Sequence, residues 1–319
     1  MLTMKVLIPD NLHEKSIRFL ESRGYEVVTG HAKDEEGLIR EVGDVDGLLA
    51  RSYPFTAKVI DAAKKLKVIG RIGVGVDMID VKHAEEKGIW VGVARGANTN
   101  AVAEHTMSLI AACAKNIVLC DSETKAGNYD IRNKVQAVEL RGKTLGVIGL
   151  GAIGRTVAEI AHNGFGMEVA GYDMFLSPAI PDYVRILSSA EDVLKEADVV
   201  TLHVPATPET ENMIRRETLQ LMKPSAILVN CARGALVNEA DLAEALRDGV
   251  ILAAGTDVFT NDIPSADNPL LTAVNMTVSP HYASFTAESN EMMEMMAAEA
   301  VDAVLKGGAP KFPVNSPKL

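Results

Sequence analysis

The chain has 319 residues, enough for two domains; 47% are hydrophobic and only 4% aromatic, so its cores are aliphatic. The formal net charge of −11 argues against nucleic acid or an anionic membrane surface as a partner, and an anionic substrate would need a local arginine cluster. No apolar run is long enough to cross a bilayer, the first residues look like the start of a strand rather than a signal peptide, and no metal-ligand spacing occurs. Cys113, Cys120 and Cys231 form no Cys-x-x-Cys pair, which predicts reduced thiols in a cytoplasmic protein.

Short apolar runs predict strands at 5–8, 25–28, 47–51, 67–70 and 90–93, with amphipathic helices at 12–23, 34–42, 57–65 and 81–87 between them. That alternation is a parallel α/β unit. Residues 99–119 predict one long helix, capped by Asn98 or Thr99 and apolar enough to be buried in a domain or at a subunit interface. A second series has strands at 144–149, 167–172, 198–203, 226–230, 251–256 and 276–279. A last helix spans about 285–306, and the methionines in it (Met292, Met293, Met295, Met296) suit core or hinge packing.

The strand at 144–149 runs into Gly149-Leu-Gly151-Ala-Ile-Gly154, a helical pattern follows, and the next strand ends on Asp173. A Gly-rich turn alone is common. Strand, turn, helix and acid in this order meet the requirements of dinucleotide binding. Gly149 permits the turn, Gly151 lets a pyrophosphate approach the backbone, and Gly154 lets helix and strand pack closely. The helix N-terminus attracts phosphate. Asp173 would accept hydrogen bonds from the ribose hydroxyls and repel a 2′-phosphate, so NAD is expected over NADP.

In open α/β sheets ligands collect at the carboxyl ends of the strands. Those ends carry His203-Val-Pro205-Ala-Thr207, Asn230-Cys231-Ala232-Arg233, Asp257 through Asp262, and His281. Oxidising a secondary alcohol removes a proton while a hydride leaves. A His performs the first near neutral pH, a carboxylate fixes its tautomer, and an Arg clamps a substrate carboxylate. Each residue alone has an ordinary alternative as a surface or turn residue; their shared edge raises all three.

The chain resembles the D-isomer-specific 2-hydroxyacid dehydrogenases, and within them the phosphoglycerate dehydrogenase branch. The matching segments run from Arg51-Ser52 to Pro280-His281. They include Gly73-Val74-Gly75-Val-Asp-Met-Ile-Asp80, Gly96-Ala-Asn98-Thr99, Val102-Ala-Glu-His-Thr106, the segment from Leu140 to Gly151, His203-Val-Pro-Ala-Thr207-Pro-Glu-Thr, Asn230-Cys-Ala-Arg-Gly and Ser279-Pro-His. The resemblance implies two Rossmann-like or flavodoxin-like parallel-sheet α/β domains with a cleft between them. Residues 1–97 plus about 286–319 would form the substrate-binding domain and 98–285 the NAD-binding Rossmann domain, with hinges near 95–99 and 285–290. The sequence stops where longer members add a regulatory domain, so a short form is expected.

The resemblance also implies roles. Arg233 would bind the substrate carboxylate, and His281 would be the acid/base. Asp262 stands where the family usually has Glu, with Ile263 in place of Pro, and its side chain reaches roughly 1.5 Å less. Asp257 would accept from the nicotinamide carboxamide. His203, Pro205, Thr207, Cys231 and Ala232 would line the cofactor path, with Ile153 and Arg155 at the pyrophosphate. Val74 and Gly75 would offer backbone N–H groups to the substrate. Arg51 would contact a phosphate, and Arg132 would reach the cleft of a dimer partner. Arg95 replaces a common Pro, and Ala283-Ser284 replaces a small-residue pair. The expected reaction is NAD-dependent oxidation of a D-2-hydroxy acid, D-3-phosphoglycerate to 3-phosphohydroxypyruvate, in a homodimer built through about 99–140. The alternatives are a reductase of glyoxylate, hydroxypyruvate or another 2-keto acid, and a non-enzymatic NAD-binding partner protein like the family's co-repressors.

Overall fold

The structure, a computed structural model, describes residues 3–9, 12–32, 34–51, 53–177 and 179–317. Ser52 of the Arg51-Ser52 match lies outside them. The chain divides into a unit made of Met1–Asn98 with Phe285–Leu319 and a unit made of Thr99–Ser284.

The first unit holds five parallel strands: β1 (Lys5–Ile8), β2 (Glu26–Thr29), β3 (Gly47–Ala50), β4 (Val68–Arg71) and β5 (Trp90–Val93). They lie in the order β2-β1-β3-β4-β5, the flavodoxin-like arrangement. Successive residues feed opposite faces. Leu7, Leu48, Ala50 and Ile69 enter one core with Leu38 and Phe55. Val6, Ile8, Leu49 and Val68 enter the other with Ala297 and Val301. Both faces are therefore covered, as a parallel sheet requires. The helix Ala287–Leu305 lies on the second face. It comes so close that a Cβ on Gly70 would stand 2.4 Å from the Ala297 carbonyl oxygen. Of its methionines, Met293 is buried and Met292 is exposed.

The second unit holds seven parallel strands: β6 (Thr144–Ile148), β7 (Glu168–Tyr172), β8 (Val184–Ile186), β9 (Val199–Leu202), β10 (Ile227–Asn230), β11 (Ala253–Thr256) and β12 (Met276–Val278). Their order, β12-β11-β10-β9-β6-β7-β8, reverses direction between β6 and β9. This is a dinucleotide-fold topology whose switch point lies beside the glycine turn. Again alternate residues serve two cores: Leu145, Val147, Val199, Ile227 and Val229 one, Ile148, Val200, Leu202 and Leu228 the other. Each fully buried aliphatic side chain contributes about 1.5–3 kcal/mol of transfer free energy.

Several elements differ from the sequence expectation. The continuous 99–119 helix is two helices, Thr99–Lys115 and Ile117–Lys125. Asn116 between them is left-handed, with φ 53°, and its Nδ2 donates to the Gln136 carbonyl at 3.2 Å. Asn tolerates that conformation better than most residues, so a helical hydrophobic pattern can run through the break unmarked. Strand β8 and the helices Ala190–Glu196, Arg216–Leu219 and Glu239–Arg247 were not expected. Two of these helices carry readable caps: Ser189 accepts from Asp192 N and Asn238 from Asp241 N. Among the described residues no helix is long and apolar enough to cross a membrane.

Candidate active site

All seven strands of the second sheet are parallel, so the segments after them leave along one edge. The three glycines after β6 have different physical reasons. Gly149 has φ 99°, and a Cβ there would stand 2.6 Å from the backbone of His203, on the neighbouring β9 exit. A Cβ on Gly154 would stand 2.0 Å from the Gly149 carbonyl oxygen. Gly151, the cap of the helix Ala152–Phe165, has nothing within 4 Å of where its Cβ would be. The turn thus fixes itself through Gly149 and Gly154 and leaves open space at Gly151, where helix N–H groups and the positive dipole end are presented. Ile153 lies in the first turn of that helix. Arg155 Nη1 donates to the Leu150 carbonyl at 2.7 Å. Asp173, at the end of β7, accepts from Leu150 N at 2.7 Å and from Phe175 N at 2.8 Å, which ties it to the same turn. An open, anion-seeking turn with an acid beside it fits NAD.

Further along the edge, His203 N donates to the Ile148 carbonyl at 2.7 Å, and its Nε2 pairs with Thr201 Oγ1 at 3.0 Å. Burial pushes this imidazole down to about 4, so it is neutral at pH 7. Thr210 Oγ1 ties the segment by donating to the Pro205 carbonyl at 2.7 Å and accepting from Thr207 N at 2.8 Å. After β10, burial pushes the Cys231 thiol up to about 12 and the Cys113 thiol to about 11, so neither is a nucleophile near neutral pH. Asn230 clasps the next turn: its Oδ1 accepts from Ala232 N at 3.0 Å and its Nδ2 donates to the Arg233 carbonyl at 2.8 Å. Arg233 Nη1 donates to the Ala232 carbonyl at 2.7 Å. Gly234 is required beside it, because a Cβ would stand 1.9 Å from the Phe259 carbonyl carbon.

His281 and Asp262 meet. His281 Nδ1 lies 2.6 Å from Asp262 Oδ1, with side chains 51% and 77% exposed, so a ligand has direct access to the pair. An ionised carboxylate only accepts, so Nδ1 carries the hydrogen and Nε2 is left to exchange a proton. The shorter Asp therefore spans the gap that its Glu-to-Asp change put in question. His281 itself is left-handed, with φ 53°. Its N–H donates to the Asp257 carbonyl at 2.7 Å.

Asp257, expected to hold the nicotinamide carboxamide, has a buried carboxylate engaged with its own chain. Oδ1 accepts from Ser279 Oγ at 2.6 Å and Tyr282 N at 2.8 Å, and Oδ2 from Ala283 N at 2.9 Å. His105 Nε2 lies 2.9 Å from Ser279 Oγ and 3.4 Å from Asp257 Oδ1. Burial raises the Asp257 carboxyl, but the hydrogen bonds from His105, Ser279 and the two backbone N–H groups outweigh it and hold it below the usual range. Sequence reasoning gave no role to His105 or Ser279, although both stood in quoted motifs.

The remaining candidates lie elsewhere. Arg51, Val74 and Gly75 belong to the first unit. The Arg51 guanidinium lies 3.5 Å from the buried Glu294 carboxylate, donates to Asn290 Oδ1 at 2.9 Å and sits 4.9 Å over the Phe285 ring. Val74 is 41% exposed, beside Gly73 with its φ of 135°. Arg71, missed in the sequence, staples this loop by donating to the carbonyls of Gly75 at 2.8 Å and Ile72 at 2.5 Å. Arg95 packs over the Phe312 ring at 5.8 Å, within the same unit. Arg132 is exposed on the 3-10 turn Tyr129–Asn133.

Residues 107–283 match the D-isomer specific 2-hydroxyacid dehydrogenase, NAD binding domain. The chain belongs to this family. The chain is 45% identical over 320 residues to a D-3-phosphoglycerate dehydrogenase of Methanocaldococcus jannaschii, covering 99% of this chain and 60% of the relative. It is 40% identical to one of Archaeoglobus fulgidus, covering 99% and 60%. The chain thus spans about 60% of the length of these curated relatives. The crystal structure of the TT0316 protein from Thermus thermophilus superposes with a TM-score of 0.90 at 38% identity, over 98% of this chain and 100% of that one. The two-sheet α/β architecture is therefore that of the family, and the glycine turn lies in its NAD-binding domain.

Proposed function

We propose that this dehydrogenase interconverts a D-2-hydroxy acid and its 2-keto acid with NAD, and that its substrate pair is D-3-phosphoglycerate and 3-phosphohydroxypyruvate. The carrying observation is the 2.6 Å contact between His281 Nδ1 and Asp262 Oδ1 on the edge that also bears Arg233 and the glycine turn. Bound NAD supplies the hydride acceptor. Arg233 binds the substrate carboxylate with its planar fork and orients the carbon that reacts. His281 Nε2 takes the hydroxyl proton as the hydride leaves, and returns it in the reverse direction. Asp262 holds the imidazole in the tautomer that frees Nε2 and stabilises the imidazolium that forms. Gly149, Gly151, Ile153, Gly154, Arg155 and Asp173 hold the adenosine pyrophosphate half of the cofactor; His203, Pro205, Thr207, Cys231 and Ala232 line its path. Val74 and Gly75 offer N–H groups to the substrate.

The names of the two archaeal relatives support the phosphorylated substrate, with Arg51 as its phosphate contact. One observation favours the unphosphorylated alternative, glyoxylate or hydroxypyruvate: the Arg51 guanidinium already has Glu294, Asn290 and Phe285 around it. Steady-state kinetics on 3-phosphohydroxypyruvate, hydroxypyruvate and glyoxylate decide. A kcat/KM at least about tenfold higher for the phosphorylated acid is expected; parity across the three sinks the assignment. The non-enzymatic alternative gains no support from the relatives.

The same reading assigns a homodimer. Ile117 (55%), Val118 (54%), Leu119 (37%) and Tyr129 (71%) are exposed in the segment after the long helix, an apolar surface suited to a second copy. Arg132 belongs to that surface. Three free cysteines accord with a reducing compartment such as the cytoplasm.

A further inference from the structure

We propose that His105 is a positioning residue for His281, acting through Ser279 and Asp257; this rests on the assignment of His281 as the acid/base. His281 occupies left-handed backbone, which a side chain other than Gly holds only when its surroundings over-determine it. The surroundings are the Asp257 carboxylate, the Asp257 carbonyl and the Ser279 carbonyl, which the His281 N–H also reaches at 3.2 Å. Asp257 receives Tyr282 N and Ala283 N on its two oxygens, while its carbonyl receives His281 N. The three consecutive amides of the turn therefore converge on a single residue.

That residue is a buried charge, 1% exposed in its side chain, and needs donors to stay ionised. Ser279 Oγ is 2.6 Å from Oδ1 and must donate its one proton there, because a carboxylate only accepts. The Ser279 oxygen then has only lone pairs left for His105 Nε2, 2.9 Å away. His105 must carry its hydrogen on Nε2, aimed at Ser279 and, at 3.4 Å, at Asp257. The chain of donors runs in one direction: His105 to Ser279, Ser279 to Asp257, and Asp257 accepts the amides that shape the His281 turn. Removing the first donor takes away the hydrogen bond that Ser279 Oγ accepts and the 3.4 Å contact to Asp257, and so loosens the carboxylate that holds the turn. His105 lies in the helix Thr99–Lys115, 174 residues away in sequence, so a rigid element braces the loop.

Positioning predicts a loss in turnover without a matching loss of cofactor affinity. His105→Leu should lower kcat about 10–50-fold and change the dissociation constant of NADH less than about threefold. His105→Gln, whose amide N–H reaches Ser279, should keep kcat within about threefold of the parent. Ser279→Ala should repeat the loss, and the double variant should be no worse than about twofold below either single one, since both cut the same chain. A His105→Leu enzyme within about twofold of the parent, a Gln variant as poor as the Leu variant, or losses that multiply would each overturn the proposal. His281→Ala is measured beside them. If it retains turnover within about tenfold, the acid/base assignment fails and this inference with it. If it collapses while His105→Leu and Ser279→Ala do not, only this inference fails.

Discussion

His281 Nδ1 lies 2.6 Å from Oδ1 of Asp262, and each partner reaches the other from a different strand end. The pair braces Nδ1 and, in the proposed mechanism, leaves Nε2 to exchange the proton. Replacing Asp262 by Asn keeps the size but removes the charge and allows the amide to favour the wrong tautomer. Asp262→Asn should lower kcat about 100-fold or more, within the range of about 10²–10⁴-fold spanned by general acid–base effects. Asp262→Glu should retain turnover within about tenfold. Steady-state kinetics of keto-acid reduction provide the check, and an Asn enzyme as fast as the parent would remove Asp262 from the mechanism.

Gly151 and Gly154 should respond oppositely to added side chains. At Gly151 there is open space and a helix cap position that Thr occupies well, so Gly151→Thr should leave the melting temperature within a few degrees while weakening NADH binding at least about tenfold. At Gly154 the new Cβ would stand 2.0 Å from the Gly149 carbonyl oxygen, and Gly154→Ala should cost about 2–4 kcal/mol of stability. Calorimetry and fluorescence titration of both variants separate the two roles.

His203 gives a stability signature in acid. Burial lowers its pKa in the folded chain to about 4, against the ordinary 6.5. Between these values the unfolded chain binds a proton that the folded chain refuses. Stability is therefore fully present above about 6.5 and is lost as the pH falls towards about 4, through the linkage of protonation to folding. His203 is half-buried as a residue, and its share is about 1–2 kcal/mol. Urea denaturation at pH 7 and pH 5 should show a smaller drop for His203→Gln than for the parent; equal drops would contradict the assignment.

Arg51 has two roles to separate. Arg51→Ala removes the guanidinium 3.5 Å from the buried Glu294 carboxylate and should cost about 1–3 kcal/mol. Arg51→Ala with Glu294→Gln should recover most of that stability. If Arg51 also contacts the phosphate, the double variant still shows a KM for 3-phosphohydroxypyruvate raised at least about tenfold, with hydroxypyruvate changed less than about threefold. Equal effects on both acids would leave Arg51 a purely structural residue.

The proposed dimer is tested at its exposed apolar surface. Val118→Asp should shift the protein from dimer to monomer in sedimentation at micromolar concentration without lowering the helix content. A parent protein that sediments as a monomer would remove the interface at once.

Much of this was legible in the sequence because it is local. Strands such as β3, β9 and β10 announce themselves as apolar runs, since a parallel sheet is buried on both faces. The glycine turn is legible because backbone sterics at Gly149 and Gly154 admit little else. The break at Asn116 was not, because hydrophobic periodicity continues on both sides of it and the corner is tied to a distant segment, by Asn116 Nδ2 on the Gln136 carbonyl and Val138 N on the Ala114 carbonyl.

The sequence by itself determined the class of the protein: two parallel-sheet units, an NAD turn, and Arg233 and His281 at strand ends. These follow from chain periodicity and from rules that act within a few residues. Only the tertiary structure decided that Asp262 reaches His281, that Asp257 spends its carboxylate on the His281 turn, that Arg51 faces Glu294, and that His105 stands behind Ser279 across 174 residues. Such relations depend on where packed helices and sheet edges carry each side chain, to within a few tenths of an ångström, and no local rule of sequence fixes that.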